Sequence, residues 1–326
     1  MRRRMLPGLG REVAVMALGT AALGTDLSLA DSFHLLDDYA ENGGNFLDTA
    51  RVYGYFAENI QGVSEEVIGR WLKARKNRDQ IAVATKGGHP PLSDMRRSRL
   101  DQASILADLE ESLKALQTDH VDIFWLHRDD EERPVEAIME TLQGIVESGK
   151  ALAVGASNWR LHRLIAAQRY AREAGRTPFC AVQPQWSLAR QEVLEDQTLV
   201  IMNGEMYDWH LKERLPVVPY TSQAKGFFSK LEKGGKDALQ GEAKRWFWSQ
   251  RNWNTFQALQ EISGRTGHSA GALALAFLLD QPFPVFPIVG FRTPEQMAVL
   301  QEADSITLTP EDMAALMNAY EGHEAQ

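Results

Sequence analysis

Short apolar runs of strand type alternate with amphipathic stretches of helical type along nearly the whole chain. The runs are rich in β-branched and aliphatic residues and end in polar residues or glycine, which is typical of buried strands. There are eight of them, at residues 13–18, 45–47, 81–85, 121–126, 151–155, 180–183, 216–220 and 285–289.

The stretches between these runs carry helix signals. Leu106, Leu109 and Leu113 follow one another at helical spacing and would share one face. Pro134 stands where a first helical turn tolerates proline, and Gly149 stands where that helix would end. Further along, the Thr293 to Gln296 spacing matches a capping box at a helix start.

Strands that alternate with helices indicate a parallel sheet, and eight alternations in 326 residues predict a closed (β/α)8 barrel of the TIM type. The alternative is a doubly wound open sheet, but no Gly-x-Gly-x-x-Gly follows the first run. We therefore expect a single barrel domain over residues 1–326. Residues 186–213 and 225–252 are predicted to be long loops, a feature that often carries function in barrels.

The composition excludes several classes of protein. A formal net charge of −9 argues against nonspecific nucleic-acid binding, which needs a basic surface. No run approaches the roughly 18 apolar residues of a membrane span, and Pro7 and Gly8 interrupt what would follow a basic leader. Cys180 is the one cysteine, so no intramolecular disulfide can form. These features favour a cytoplasmic protein that binds neither nucleic acid nor membrane.

Polar residues follow the predicted strands at their carboxyl ends, where barrel enzymes place catalytic groups. Asp48 and Tyr53 follow the second strand, Lys86 the third and His127 the fourth. Taken singly, such a tyrosine usually packs and such a lysine is usually solvated. Four of them at consecutive strand ends, however, would face one mouth of the barrel.

The stretch around the first two of these residues is specific. Residues 45–54, which read NFLDTARVYG, resemble the signature segment of the aldo-keto reductases. That resemblance implies a catalytic tetrad formed by Asp48, Tyr53, Lys86 and His127. The similarity extends from about Leu18 to about Leu300 with the motifs in the order of the family, and it implies a barrel fold and carbonyl reduction.

Two later segments resemble the cofactor-binding segments of the same family. Residues 155–159, which read GASNW, imply that Ser157 and Asn158 hold the nicotinamide carboxamide. Gln183 matches the third carboxamide contact of the family. Tyr220 matches the aromatic residue that stacks on the nicotinamide ring.

Residues 288–296, which read IVGFRTPEQ, resemble the segment that binds the adenosine phosphate. The resemblance places Gly290, Arg292 and Gln296 at the cofactor, with the Arg292 guanidinium suited to a bidentate grip on the 2′-phosphate of NADP. The chain departs from the family in carrying Val299 and Leu300 where many members have a Glu-Asn pair that grips adenine. The phosphate anchor is therefore expected and the adenine grip is altered.

This resemblance implies NADPH-dependent reduction of an aldehyde or ketone with Tyr53 as general acid. The cofactor would supply a hydride and the phenol a proton. A lysine ammonium at Lys86 would stabilise the phenolate, Asp48 would hold that ammonium, and His127 would donate a hydrogen bond to the substrate oxygen. The chemistry needs no metal, and no cluster with metal-ligand spacing is evident in the sequence.

Two other functions use the same features. Lys86 could form a Schiff base in an aldolase-like lyase, or the barrel could bind NADPH as a regulatory or redox-sensing subunit. The substrate itself depends on loops. Arg128 and His89 add polar groups near the mouth, which suits a sugar-derived or other polar carbonyl compound. No oligomeric state is predicted. Five tryptophans are candidate pocket walls, with a place in the core as the alternative for each: Trp186, Trp209, Trp246, Trp248 and Trp253.

Overall fold

The computed structural model describes residues 1–54 and 61–321 of the chain. It begins with an antiparallel hairpin of strands β1, Arg3–Met5, and β2, Glu12–Ala14. The remaining strands form one parallel sheet in the order β8-β7-β6-β5-β4-β3-β9. They are β3 Ala17–Gly19, β4 Phe46–Asp48, β5 Ala82–Gly87, β6 Val121–Leu126, β7 Ala151–Ser157, β8 Val182–Gln183 and β9 Ile288–Val289.

The open edges of this sheet are joined through residues 216–220, so the sheet closes into a barrel. Val217 forms parallel bridges to Val182 on one side and to Val285 on the other. The amide of Val218 donates to Val182 O at 2.8 Å, and that of Ile288 donates to Pro219 O at 2.8 Å. The predicted seventh strand therefore lies between β8 and β9, and the (β/α)8 barrel is confirmed.

The first predicted strand, residues 13–18, is wrong as a single element. The structure divides it between β2, which ends at Ala14, and β3, which begins at Ala17. The hairpin lies against the amino-terminal end of the barrel, where Leu6, Leu9 and Val13 are buried with the first residues of several barrel strands. Because both parts of the run are buried, both are apolar, and hydrophobicity did not reveal the boundary.

Helices follow the strands around the barrel, as predicted. The Pro134 and Thr293 signals are confirmed, since each is the residue before a helix and the Thr293 side chain accepts from the Gln296 amide. The helices are α1 Leu29–Glu41, α2 Val63–Arg75, α3 Gln102–Leu116, α4 Val135–Glu147, α5 Leu161–Ala174, α6 Gly204–Glu213, α7 Phe227–Gly234, α8 Gly241–Phe247, α9 Gln250–Thr266, α10 Ala270–Leu279, α11 Pro294–Ser305 and α12 Pro310–Glu321.

The two long loops predicted at residues 186–213 and 225–252 are partly helical. The first ends in α6, and the second contains α7 and α8. In these stretches the helical turns are short, so their apolar periodicity is too brief to stand out in the sequence. None of the helices in the described part of the chain is long and apolar enough to cross a membrane.

Close packing inside the barrel depends on Gly155 in β7. Its register partner in β6 is Trp125, whose ring is fully buried. A Cβ atom at residue 155 would lie 2.2 Å from the Trp125 ring, so only glycine fits without displacing that ring. The interior of the barrel is therefore closely packed at the level of Trp125.

Candidate active site

The Lys86 ammonium lies at the centre of a hydrogen-bonded group at the carboxyl ends of β4 and β5. Its Nζ donates to Asp48 Oδ2 at 2.5 Å, to Thr49 O at 2.8 Å and to Tyr53 Oη at 3.2 Å. These three bonds use all three ammonium hydrogens, so the group is fixed in direction. Burial alone would lower the pKa of Lys86, but Asp48 and Tyr53 outweigh that effect, and the pKa lies above its usual value.

Asp48 is held at both carboxylate oxygens. Lys86 donates to Oδ2, and the Gln183 side chain donates through Nε2 to Oδ1 at 2.9 Å. Asp48 and Gln183 are each about 1% exposed, so water does not compete strongly for these bonds. The resemblance assigned Gln183 to the cofactor only, and its contact with Asp48 is an addition that the sequence did not suggest.

Tyr53 reaches this group from a turn that follows β4. Its amide donates to Ala50 O at 3.0 Å, and its side chain is only partly buried. Lys86 Nζ lies 4.9 Å from the centre of the phenol ring, and the ring of His127 lies edge-on to it at 6.2 Å. The hydroxyl therefore combines contact with a buried cation and access from the mouth of the barrel.

His127, which follows β6, is neutral. Burial, and then the positive charge of Arg128, hold the pKa of His127 well below its usual value. A neutral imidazole carries one N–H, and Nδ1 of this ring is buried without a hydrogen-bond partner among the described residues. With its proton on Nε2, His127 can donate one hydrogen bond to a ligand without changing the charge of the site.

The four residues predicted as a tetrad are brought together at one mouth of the barrel. Asp48, Lys86 and Tyr53 share hydrogen bonds, and His127 contacts the Tyr53 ring. A carbonyl oxygen placed between Tyr53 and His127 would meet two donors, one of them backed by a cation. Such an arrangement can stabilise negative charge on oxygen and deliver a proton to it.

A second group surrounds Asn158, which follows β7 with a left-handed φ of 60°. Its Oδ1 accepts from Tyr220 Oη at 2.7 Å and from the Val200 amide at 3.1 Å. Its Nδ2 donates to Ser157 Oγ at 3.1 Å and to His127 O at 3.3 Å. All four bonds that an asparagine amide can form are therefore made within the protein.

Ser157 connects the Asn158 group to the Lys86 group. Its hydroxyl donates to Gln183 O at 3.0 Å and lies 3.4 Å from Gln183 Oε1. Since Gln183 also binds Asp48, the residues predicted to hold the nicotinamide carboxamide are adjacent to the predicted catalytic residues. The structure thus places Ser157, Asn158, Gln183 and Tyr220 in one polar network.

The predicted phosphate segment lies at the start of α11. The Gly290 amide donates to Gln223 Oε1 at 2.8 Å, and the Arg292 amide donates to Gln296 Oε1 at 2.6 Å. Arg292 Nη2 donates to Asp26 Oδ2 at 2.8 Å, with the side chains 53% and 60% exposed. The guanidinium thus has a carboxylate partner that the sequence did not predict.

A small cavity of about 30 Å³ lies near the predicted phosphate segment. Ser222 and Gln223, which line it, follow Tyr220 in the chain, and Gln223 also binds Gly290. Val299 also lines the cavity, whereas Leu300 is fully buried in the core. The cavity therefore adjoins the predicted phosphate segment, through the contact of Gln223 with Gly290.

The five tryptophans named as candidate pocket walls differ in their surroundings. Trp186 is 2% exposed and stacks on Phe283 at 6.1 Å, so it is a core residue and does not line an accessible pocket. Trp248 and Trp253 pack on each other at 6.0 Å, with Lys236 against both rings. Lys225 and Arg245 contact the Trp246 ring, and Trp209 packs on its neighbour His210.

Arg128 binds residues 196 and 198, in the segment before α6, next to the site. It donates to His127 O at 2.9 Å and to Thr198 Oγ1 at 2.9 Å, and its guanidinium lies 3.4 Å from Asp196. Arg128 is 8% exposed, which makes it a buried cation beside His127. It lowers the proton affinity of the neighbouring imidazoles, as its effect on His127 shows.

Comparison with known proteins identifies relatives of this chain. The model of the aldo/keto reductase family matches residues 15–321. An aryl-alcohol dehydrogenase [NADP(+)] of Phanerodontia chrysosporium is 30% identical, over 96% of this chain and 84% of the relative. A norsolorinic acid reductase of Emericella nidulans is 30% identical, over 95% and 79%.

A solved structure has the same fold. It is a thermostable aldo-keto reductase crystallised with the inhibitor epalrestat, and it superimposes with a TM-score of 0.72. The match covers 98% of this chain and 100% of that structure, at 24% sequence identity.

Proposed function

Because the chain belongs to the aldo/keto reductase family and is therefore an NAD(P)H-dependent oxidoreductase, we propose that it reduces an aldehyde or ketone with NADPH. Tyr53 is the proton donor in this proposal, and residues 1–326 act as one barrel domain in the cytoplasm. The observation that carries the proposal is the contact of Lys86 Nζ with Tyr53 Oη at 3.2 Å, inside a buried ion pair with Asp48.

The proton leaves Tyr53 Oη for the carbonyl oxygen as that oxygen gains charge. Loss of the proton creates a phenolate, which the Lys86 ammonium stabilises directly. Asp48 keeps Lys86 charged, because the carboxylate favours the ammonium in a site that excludes water. His127 donates a second hydrogen bond to the same oxygen and orients the carbonyl group.

The residues around Asn158 and Arg292 fit a bound nicotinamide dinucleotide. Bound NADPH supplies the hydride for the carbonyl carbon. Ser157, Asn158 and Gln183 offer amide and hydroxyl groups of the kind a carboxamide needs, and Tyr220 offers a ring face. Arg292 precedes α11, whose first amides and positive end favour an anion, so we assign it to the 2′-phosphate of NADP.

The geometry disfavours the Schiff-base alternative. A Schiff base requires a neutral, free amine, whereas all three Lys86 hydrogens are donated and the pKa of Lys86 is raised. A regulatory subunit that only binds NADPH would not need the Tyr53–Lys86–Asp48 arrangement. Reduction is therefore the function that uses the most of the observed contacts.

The test is the Tyr53→Phe variant, which keeps the ring and removes the proton. A screen of aldehydes, ketones and oxidised sugars, followed by loss of NADPH absorbance, would first supply a substrate. We expect turnover to fall by about 10²- to 10⁴-fold while NADPH affinity stays within about twofold.

Tyr170→Phe is the matched control. It makes the same chemical change on α5, where Tyr170 binds Glu140, and it should leave turnover unchanged. A Tyr53→Phe enzyme that kept more than about a third of wild-type turnover would refute the assignment of the acid.

A further inference from the structure

His89, expected from the sequence to lie near the mouth of the barrel, packs against His127, whose ring in turn lies edge-on to Tyr53. It follows the end of β5, three residues after Lys86. Its ring lies 4.7 Å from that of His127, at an interplanar angle of 69°, and it is 8% exposed. Any substrate whose oxygen lies between Tyr53 and His127 would extend close to this ring.

The tautomer of His89 follows from one hydrogen bond. Its Nδ1 lies 2.6 Å from Pro90 O, and because a carbonyl oxygen only accepts, Nδ1 must carry the proton. Turning the ring over would press a C–H group against the same oxygen at that distance. Nε2 therefore presents a lone pair, and within residues 1–54 and 61–321 no donor is placed on it.

His89 is neutral at physiological pH. Burial, and then the charge of Arg128, lower its pKa to about 4. It therefore offers an acceptor and no positive charge to a ligand. In the proposed complex its neighbours have the opposite character, since Tyr53 and His127 both donate to the carbonyl oxygen.

The local backbone fixes this ring in place. Gly88 has a φ of 73°, and its amide donates to Asp108 Oδ2 at 2.8 Å. Arg99 binds the other oxygen of Asp108. A Cβ atom at residue 88 would lie 2.5 Å from Leu100 Cδ2, so the turn that presents His89 depends on glycine and leaves little freedom.

We propose that His89 is a specificity-determining residue that accepts a hydrogen bond from a substrate hydroxyl on the carbon next to the carbonyl. The inference rests on the proposed function and names its substrate class, the α-hydroxy aldehydes and ketones. Tyr53 and His127 would donate to the carbonyl oxygen of the substrate. His89 would accept from a hydroxyl on the neighbouring carbon. A substrate without that hydroxyl leaves the His89 lone pair desolvated and unpaired, which disfavours its binding.

The test compares α-hydroxyacetophenone with α-fluoroacetophenone. Fluorine withdraws electrons from the carbonyl as a hydroxyl does, but it cannot donate a hydrogen bond. We expect the ratio of kcat/KM for the hydroxy over the fluoro ketone to fall by about 3- to 10-fold in His89→Phe. Because both substrates are measured on one preparation, partly inactive enzyme does not alter the ratio.

Two further variants separate an acceptor from a packing role. His89→Gln retains an acceptor oxygen, so its ratio of kcat/KM for the two ketones should lie between those of His89→Phe and wild type. His162→Phe makes the same exchange on α5, where the side chain is 65% exposed, and should leave it unchanged.

The outcomes distinguish this inference from the proposed function. If His89→Phe lowered kcat/KM equally for both ketones, or left both values unchanged, the proposed role of His89 would be overturned and the proposed carbonyl reduction would stand. NMR of the ring nitrogens that located the proton on Nε2 would overturn it too. If the wild-type enzyme binds NADPH and reduces no carbonyl compound, the proposed function fails and the inference fails with it.

Discussion

Replacement of Arg292 by alanine tests how the chain distinguishes NADPH from NADH. In the proposed complex the guanidinium binds the 2′-phosphate, which NADH lacks. We therefore expect Arg292→Ala to weaken NADPH binding and to leave NADH binding nearly unchanged.

The loss of NADPH affinity expected in Arg292→Ala depends on Asp26 as well as on the phosphate. A charge-assisted hydrogen bond contributes about 1.5–3 kcal/mol. Arg292 already binds Asp26 at 2.8 Å, and because both side chains are more than half exposed, that ion pair contributes at most about 1 kcal/mol. If the pair must open, the net gain from the phosphate is about 0.5–3 kcal/mol, or about 2- to 150-fold in affinity.

The same reasoning gives an effect of opposite sign at Asp26. Asp26→Asn removes the competing carboxylate and its repulsion of the phosphate, so NADPH should bind about 2- to 5-fold more tightly. In the Arg292→Ala background the competition is gone and only the weaker repulsion remains, so Asp26→Asn should have a smaller effect there. The two changes should therefore be non-additive.

Fluorescence titration of both cofactors at fixed, low salt measures these affinities, because exposed charges are screened as salt rises. Arg160→Ala is a matched control, since Arg160 is similarly exposed and pairs with Glu131 at 3.0 Å. Equal losses for NADPH and NADH in Arg292→Ala would refute the role in phosphate recognition. A wild-type preference for NADH would overturn the NADP assignment and leave the reductase assignment in place.

Two more substitutions test the charges of the barrel. Lys86→Met leaves Tyr53 without a cation and Asp48 without its partner, so turnover near neutral pH should fall by at least about 100-fold; a pH–rate profile identical to that of wild type would contradict this role. Burial raises the pKa of the Glu65 carboxyl group from its ordinary value near 4.5 to about 7. Between these two pH values the folded protein keeps the proton on Glu65, whereas the unfolded chain releases it. The contribution of this proton to the free energy of unfolding is fully present below pH 4.5 and is lost as the pH rises through 7. In wild type the free energy of unfolding should therefore fall by about 2–3 kcal/mol between about pH 5 and 8 because of Glu65, and Glu65→Gln should abolish that fall. Urea unfolding at both pH values measures it, and an unaltered pH dependence would show that Glu65 is not the group responsible.

Some strands were predictable because their burial leaves a clear pattern. The prediction for residues 121–126 coincides with β6, which is buried along its whole length between two neighbours. The seventh predicted strand, residues 216–220, forms only isolated bridges in the described part of the chain. Residues 216 and 219 are prolines, which have no amide hydrogen to donate to a neighbouring strand. A hydrophobic run therefore locates a barrel strand but does not predict how regular its ladder will be.

The grouping of site residues was predictable for a geometric reason, and their bonding was not. Parallel strands bring their carboxyl ends to one mouth, so Asp48, Lys86 and His127 had to be neighbours. The Gln183–Asp48 bond joins residues 135 positions apart, and the Arg292–Asp26 pair joins residues 266 positions apart. Such pairs depend on side-chain directions that no local pattern in a single sequence encodes.

The saturation of Asn158 has a consequence for the energetics of cofactor binding. A carboxamide that binds to this amide must displace a bond from Tyr220, Val200, Ser157 or the His127 carbonyl, so the exchange conserves the number of hydrogen bonds. An exchange of this kind yields little net free energy, much as protein–water bonds are exchanged for internal ones on folding. Asn158 would then act mainly as a template that sets the angle of the nicotinamide ring, while the affinity for the dinucleotide comes from its other end.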